Sequence, residues 1–176
     1  RHTMKEPWRL VTYQDALNKL LTLADYERML GLATPRPKFG LDRMLALLSR
    51  VGNPHTCAPV VHIAGTKGKG SVAAMYTSIL TAEGYGVGLF TSPHLHTFRE
   101  RIRIGSKPVT ENEFNFLIDT LWPHVKAIEC EGIHGSVTTF ELLTAMAFLH
   151  FRNQAVDVQV LEVGLGGRLD TTNVAH

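Results

Sequence analysis

Seven residues, Gly65-Thr66-Lys67-Gly68-Lys69-Gly70-Ser71, bring together glycines, a lysine and a hydroxyl in one short loop. Glycines let the backbone fold into a nest whose N–H groups converge on an anion, and a following helix adds the positive end of its dipole. Lys69 adds a full charge, and Ser71 can offer a hydroxyl to a magnesium ion. The strict pattern G-x-x-x-x-G-K-[ST] is not met, because Gly65 is too close to Gly68 and Gly70 separates Lys69 from Ser71. The plain alternative is a glycine-rich turn carrying an exposed lysine. An apolar strand before the loop and a helical pattern after it favour the phosphate cradle.

Glu162 is the second candidate. It ends an apolar, β-branched run, residues 156–163, that leads into Gly164, Gly166 and Gly167. In open α/β sheets ligands bind at the carboxyl ends of the strands. A carboxylate there is a hard oxygen ligand suited to Mg²⁺ on nucleotide phosphates; the alternative is a solvated residue at a strand end. His94 and His96 form no zinc site by themselves, since no cysteine or further histidine stands nearby at ligand spacing. Arg101 and Arg103 alternate on a strand, so a solvated basic face is their simplest reading, with anion contact second.

The elements that must position these groups are legible from periodicity. Tyr13, Ala16, Leu17, Leu20, Leu21 and Ala24 recur at helical spacing, with Thr12 as cap and Gly31 as stop. Residues 34–37 (Thr-Pro-Arg-Pro) read as a linker. Leu41, Met44, Leu45 and Leu48 form a second helical face, ended by Gly52-Asn53-Pro54. Residues 59–64 suit a buried parallel strand. A helix with Val72, Tyr76, Ile79 and Leu80 inward follows, stopped by Gly84, and then a strand over 87–91, which makes a βαβ unit. Residues 101–109 suggest a small hairpin. Thr110-x-x-Glu113 and Thr138-x-x-Glu141 are capping boxes that open two more helices. Phe114, Leu117, Ile118 and Leu121 face inward on the first, and Leu142, Ala145, Met146 and Leu149 on the second. The sum is an α/β fold with a mainly parallel sheet preceded by two helices.

Composition bounds the partners. At 176 residues the chain suits one core, and 44% hydrophobic with 19% charged residues is ordinary globular usage. A formal charge of +2 gives no argument for nucleic acid or an anionic membrane. No apolar run approaches the roughly 20 residues that span a bilayer. Cys57 and Cys130 fit neither a metal spacing nor a disulfide framework, so a reduced, cytoplasmic setting is expected. The chain stops just past a glycine-rich turn without a closing element, which reads as a cut.

The loop's departure from the strict pattern resembles the ATP loop of the Mur ligase superfamily, in its folylpolyglutamate synthase and dihydrofolate synthase branch. Further pieces carry the resemblance along nearly the whole chain: Asp25-Tyr26-Glu27, Thr91-Ser92-Pro93-His94-Leu95, Glu100-Arg101-Ile102-Arg103-Ile104, Thr139-Phe140-Glu141, and residues 162–173 from Glu162 through Asn173. Cell-wall ligases of the superfamily usually carry Gly-Lys-Thr-Thr in the loop and lack the Ser-Pro-His segment.

The resemblance implies a central-domain fold of the Mur ligase type, with residues 1–58 as a helical lead-in and 59–176 as an incomplete P-loop core. It implies ATP and Mg²⁺ as cofactors and L-glutamate with a folate or dihydropteroate as substrates. The reaction it implies is amide formation through an acyl phosphate, and it gives no oligomeric state. Gly65 to Ser71 would hold ATP, with Lys69 catalytic, and Ser92 and Glu162 would hold the metal. Thr139, Phe140, Glu141, Leu169 and Asp170 would approach the pterin-bearing substrate. On the residues alone, Ser92 is equally a turn residue before proline, Glu141 a cap for Thr138, and Asp170 an ordinary turn residue. In the family a further histidine ligand, a modified lysine and a C-terminal domain follow the point where this chain stops, so the chain alone is expected to be inactive. The rival readings are another Mur-type amino-acid ligase, a simple P-loop NTPase, or a non-catalytic ATP-binding fragment.

Overall fold

The computed structural model describes residues 12–25 and 40–175. The expected stop at Gly31, the linker at 34–37, and Tyr26 and Glu27 lie outside them. Five α-helices and five strands follow in order among the described residues: α1 (Tyr13–Leu21), α2 (Asp42–Ser49), β1 (Val60–Ile63), α3 (Lys69–Ala82), β2 (Val87–Phe90), β3 (Ile102–Ile104), β4 (Lys107–Pro108), α4 (Glu111–Glu131), α5 (Thr139–Asn153) and β5 (Val158–Glu162).

The strands form one sheet in the order β1-β5-β2-β3-β4. β5 runs parallel to both β1 and β2, while β3 and β4 pair antiparallel as the expected hairpin and close one side. The sheet is therefore mixed rather than simply parallel, and β5 is inserted between the two strands of the expected βαβ unit. Ile63 stands opposite Glu162, and Phe90 opposite Leu161. In consequence β1, β5 and β2 end together, and the three loops leaving them open on one edge.

Burial corrects four expectations. β1 is an outer strand: Val60 and Val61 are half-buried, His62 is exposed and only Ile63 is buried. Leu21 is exposed, because α1 buries only the narrow stripe of Ala16 and Leu20. On α2 the buried set is Met44, Leu47 and Leu48, and Leu45 is exposed; both stripes have helical spacing, and packing against α4 and α5 selects the second. On α3, Val72, Tyr76 and Ile79 are exposed and the sheet-facing residues are Ala73 and Thr77. The helix is apolar on more than one side, and its small residues let it lie close to the sheet.

The two expected capping boxes stand at Thr110 and Thr138, and the expected cap at Thr12 is a third, each with the residue three further on returning a side-chain bond. Every inward position named for α4 and α5 is buried. α5 is buried on nearly every side, from Leu142 to Phe151, and is the spine of the main core. Gly88 explains how closely it approaches. A Cβ there would sit 2.6 Å from ring atoms of the fully buried Phe151. Gly88→Ala should therefore destabilise the fold by about 1–3 kcal/mol, the usual cost of overpacking a filled core. Phe151→Leu in the same chain should recover part of the loss in a double-mutant denaturation cycle; additive losses would show that the two residues do not compete for space.

Candidate active site

At the edge where β1, β5 and β2 end, the glycine-rich loop turns into α3 through Gly68. That residue caps the helix with φ of 74°, a left-handed conformation that favours glycine. The Lys69 Nζ folds back and donates to the Gly65 carbonyl at 3.0 Å, so the lysine is half-buried rather than fully exposed. Thr66, Lys67 and Ser71 are exposed around it. Gly70 lies in the first turn of α3, and a Cβ there would stand 3.5 and 3.6 Å from the two carboxylate oxygens of Glu162. The first turn of α3 therefore passes beside the strand-end carboxylate, with room for about one methyl group between them.

Glu162 is buried at 5% exposure, which rules out a solvated strand end. Its Oε2 accepts the Ser92 backbone N–H at 3.1 Å. Ser92 begins the loop after β2, in a cis peptide with Pro93. Gly70, Ser92 and Glu162 thus meet, one from each loop.

The 92–97 loop is held by residues that local sequence reasoning left unassigned. Glu100 accepts the N–H groups of Leu95, His96 and Thr97 at 2.9–3.0 Å. The Leu95 N–H bond, followed by that of Thr97, holds the Glu100 carboxyl below its ordinary value. The signal was present: Thr97-x-x-Glu100 is the same capping-box pattern found at Thr110 and Thr138. Arg101 is buried, not on a solvated face, and its Nε donates to His94 Nδ1 at 2.8 Å. Arg103 is half-buried and donates to the Glu100 carbonyl. The His94 ring lies 4.3 Å from that of Phe98.

The remaining candidates lie in the first turn of α5 and in the loop after β5. The two oxygens of Glu141 take the Arg43 Nε at 2.8 and 2.9 Å, and Oε2 also accepts the Thr138 N–H. Its carboxylate is both a cap and half of a buried ion pair joining α5 to α2. Thr139 donates to the Leu23 carbonyl. The Phe140 ring lies against Gly164, where any Cβ would collide with it, and 5.8 Å from Phe90. Asp170 is buried: one oxygen accepts from the N–H and hydroxyl of Thr172, the other from the Leu165 N–H. The Thr172 hydroxyl meets His62 Nε2 at 2.8 Å. Although His62 is exposed as a residue, partial desolvation of its ring pushes the imidazole below its ordinary value, with Asp170 opposing. Leu169 is exposed, on the rim of a 310 Å³ cavity shared with Leu165, Gly166 and Arg168. Arg43 and Thr172 had no signal in the sequence, since each acts on a residue chosen by the tertiary fold.

No protein-family model matches the chain. It is 45% identical over 140 residues to the dihydrofolate synthase/folylpolyglutamate synthase of Bacillus subtilis, a stretch covering 79% of this chain and 32% of that protein. The folylpolyglutamate synthase of Thermotoga maritima superposes with a TM-score of 0.82 at 44% identity, over 93% of this chain and 36% of that one. The chain is a relative of the folylpolyglutamate and dihydrofolate synthases. An FPGS complex with AMPPCP and folate superposes at 0.80 and 34% identity, over 93% of this chain and 38% of that one. This folylpolyglutamate synthase relative spans about a third of the length of the proteins it matches.

In this synthase relative the Glu100 anchor should depend on pH in one direction. A carboxyl held below its ordinary value stabilises the loop above the unfolded-state pKa, and that contribution is lost as pH falls through the lower folded value. Hydrogen exchange at Leu95, His96 and Thr97, corrected for intrinsic rates, should lose protection in that acidic window, and at neutral pH in Glu100→Gln. Equal protection in the variant would remove Glu100 as the anchor.

Proposed function

We propose that this chain forms the nucleotide and magnesium site of an ATP-dependent ligase, which joins L-glutamate to a carboxylate of a folate or of dihydropteroate. The observation that carries the reading is the meeting of Gly70, Ser92 and Glu162 at the N-terminus of α3. It unites an anion-attracting helix end with a buried carboxylate, in a chain 45% identical over 140 residues to a dihydrofolate synthase/folylpolyglutamate synthase. The FPGS relative in complex with AMPPCP and folate supports ATP and a folate as ligands.

In this reading the N–H groups from Gly68 to Ser71 hold the β- and γ-phosphates. Lys69 gives up the Gly65 carbonyl, a neutral acceptor, for a charged phosphate oxygen. Glu162 and Ser92 offer a carboxylate and a hydroxyl, the hard oxygen donors that Mg²⁺ takes in sites completed by phosphate and water. When bound, magnesium would neutralise charge on the phosphate oxygens. The substrate carboxylate takes the γ-phosphoryl group and releases ADP. The glutamate amine then attacks the acyl carbon, the bond from that carbon to the phosphate oxygen breaks, and phosphate leaves as the amide forms. Leu169 contacts the acyl substrate, while Thr139, Phe140, Glu141 and Asp170 hold the wall that receives it. Because the chain spans only 32% of its Bacillus subtilis relative, the glutamate site and the closure that excludes water fall to polypeptide outside it.

Two measurements test the reading. Glu162→Gln should weaken AMPPCP binding in Mg²⁺ by about tenfold, the scale of one charge-assisted contact, and should tighten metal-free binding, because without metal the carboxylate charge opposes the phosphates. Equal losses with and without Mg²⁺ would make Glu162 purely structural. Phosphate release with ATP, Mg²⁺, L-glutamate and either dihydropteroate or tetrahydrofolate should depend on glutamate for the full-length gene product and be absent for this chain alone. Comparable turnover by both would overturn the assignment of the missing groups to other polypeptide.

A further inference from the structure

The loop after β5 carries two charged residues, and only one of them is committed to the fold. Asp170 is spent internally, with both oxygens accepting bonds that tie Leu165 to Thr172. Arg168 is in the opposite state. Its backbone is fixed at both ends: its N–H donates to the Gly166 carbonyl at 3.1 Å, and its own carbonyl accepts from the Asn173 side chain at 3.0 Å. Gly166 and Gly167 both have φ of 77°, so the turn that aims it is a conformation favouring glycine. Its guanidinium makes no ion pair or hydrogen bond among the described residues and lies on the wall of the 310 Å³ cavity. The other wall residues are Leu165, Gly166 and Leu169, with both leucines exposed.

An arginine on a fixed backbone that lines one cavity with two apolar side chains is a receptor for a planar apolar group that ends in an oxyanion. The fork of N–H donors matches a carboxylate bidentately, and the exposed leucines offer apolar surface to the ring. We infer that Arg168 binds a carboxylate of the acyl substrate, with Leu165 and Leu169 flanking the aromatic ring that bears it. The inference rests on the ligase reading for the identity of the acyl substrate. It moves the charged contact of this loop from Asp170 to Arg168. A nucleotide phosphate presents the same oxyanion chemistry, so the two sources must be separated by measurement.

Pteroic acid and its carboxamide, which differ only in that charge, are the probes, titrated against the full-length gene product by fluorescence. The wild-type protein should prefer the acid by about tenfold or more, as one charge-assisted pair gives. Arg168→Gln should erase the preference, and Arg168→Lys should keep part of it, with AMPPCP affinity unchanged in both and thermal melts superimposable on wild type. No preference in wild type, or a preference that survives Arg168→Gln, overturns the inference. Loss of AMPPCP affinity with the acid preference intact also overturns it and gives Arg168 to phosphate. Glutamate-dependent phosphate release by the wild-type protein is scored separately. Its absence would sink the ligase reading, while the acid-over-amide preference still decides the role of Arg168.

Discussion

Glu162 is a carboxylate removed from water at the end of β5, the middle of the three parallel strands, and the arrangement around it follows from that burial. A buried charge is tolerated only where donors or positive potential meet it. Here the Ser92 N–H donates to it, and the positive end of α3 passes beside it at Gly70. For both to arrive, β1 and β2 must flank β5 and end level with it, which is the observed register. The glycine at position 70 lets the helix end pass beside the carboxylate.

Around that contact, the polar groups divide into those that hold the frame and those left for a ligand. Glu141 with Arg43, Asp170 with Thr172, and Glu100 with three backbone N–H groups are all engaged in structure. Each fixes an irregular segment that a hydrophobic core could not by itself specify, because a loop's backbone donors need particular acceptors. Thr171 and Thr144 join hydroxyls at 2.9 Å and pin the end of the β5 loop to α5 in the same way. Among the described residues, the Ser92 hydroxyl and the Arg168 guanidinium take no part in that frame, and Lys69 bonds only within its own loop.

The sequence revealed most where the signal is local. The capping boxes at Thr110 and Thr138, the inward faces of α4 and α5, and the existence of strands within 87–91 and 156–163 follow from spacing alone. The family came instead from a resemblance, carried by the loop from Gly65 to Ser71 and by further motifs along the chain. Reasoning failed where two answers share one period. On α2, Leu45 and Leu47 both fit a helical stripe, and on α3 the large residues Val72, Tyr76 and Ile79 outweighed Ala73 and Thr77. Only the partner surface breaks such ties. The roles of Glu141 and Asp170 were hidden for another reason. A carboxylate reads alike in sequence whether it faces a ligand or an arginine 98 residues away.

The geometry also bears on why a divalent cation suits the proposed reading. The N-terminus of α3 attracts anions, yet the Glu162 carboxylate already stands beside it. A phosphate bound to the same helix end would meet that negative charge at close range. Two unit charges of like sign about 4 Å apart repel by roughly 4 kcal/mol at an effective dielectric of about 20. That is more than the roughly 0.3–1 kcal/mol a helix end usually contributes. A nucleotide site built from the nest alone would therefore oppose its own ligand. In the proposed reading, a divalent cation held by Glu162 would offset that repulsion, and Glu162 would favour ATP binding only in the presence of metal.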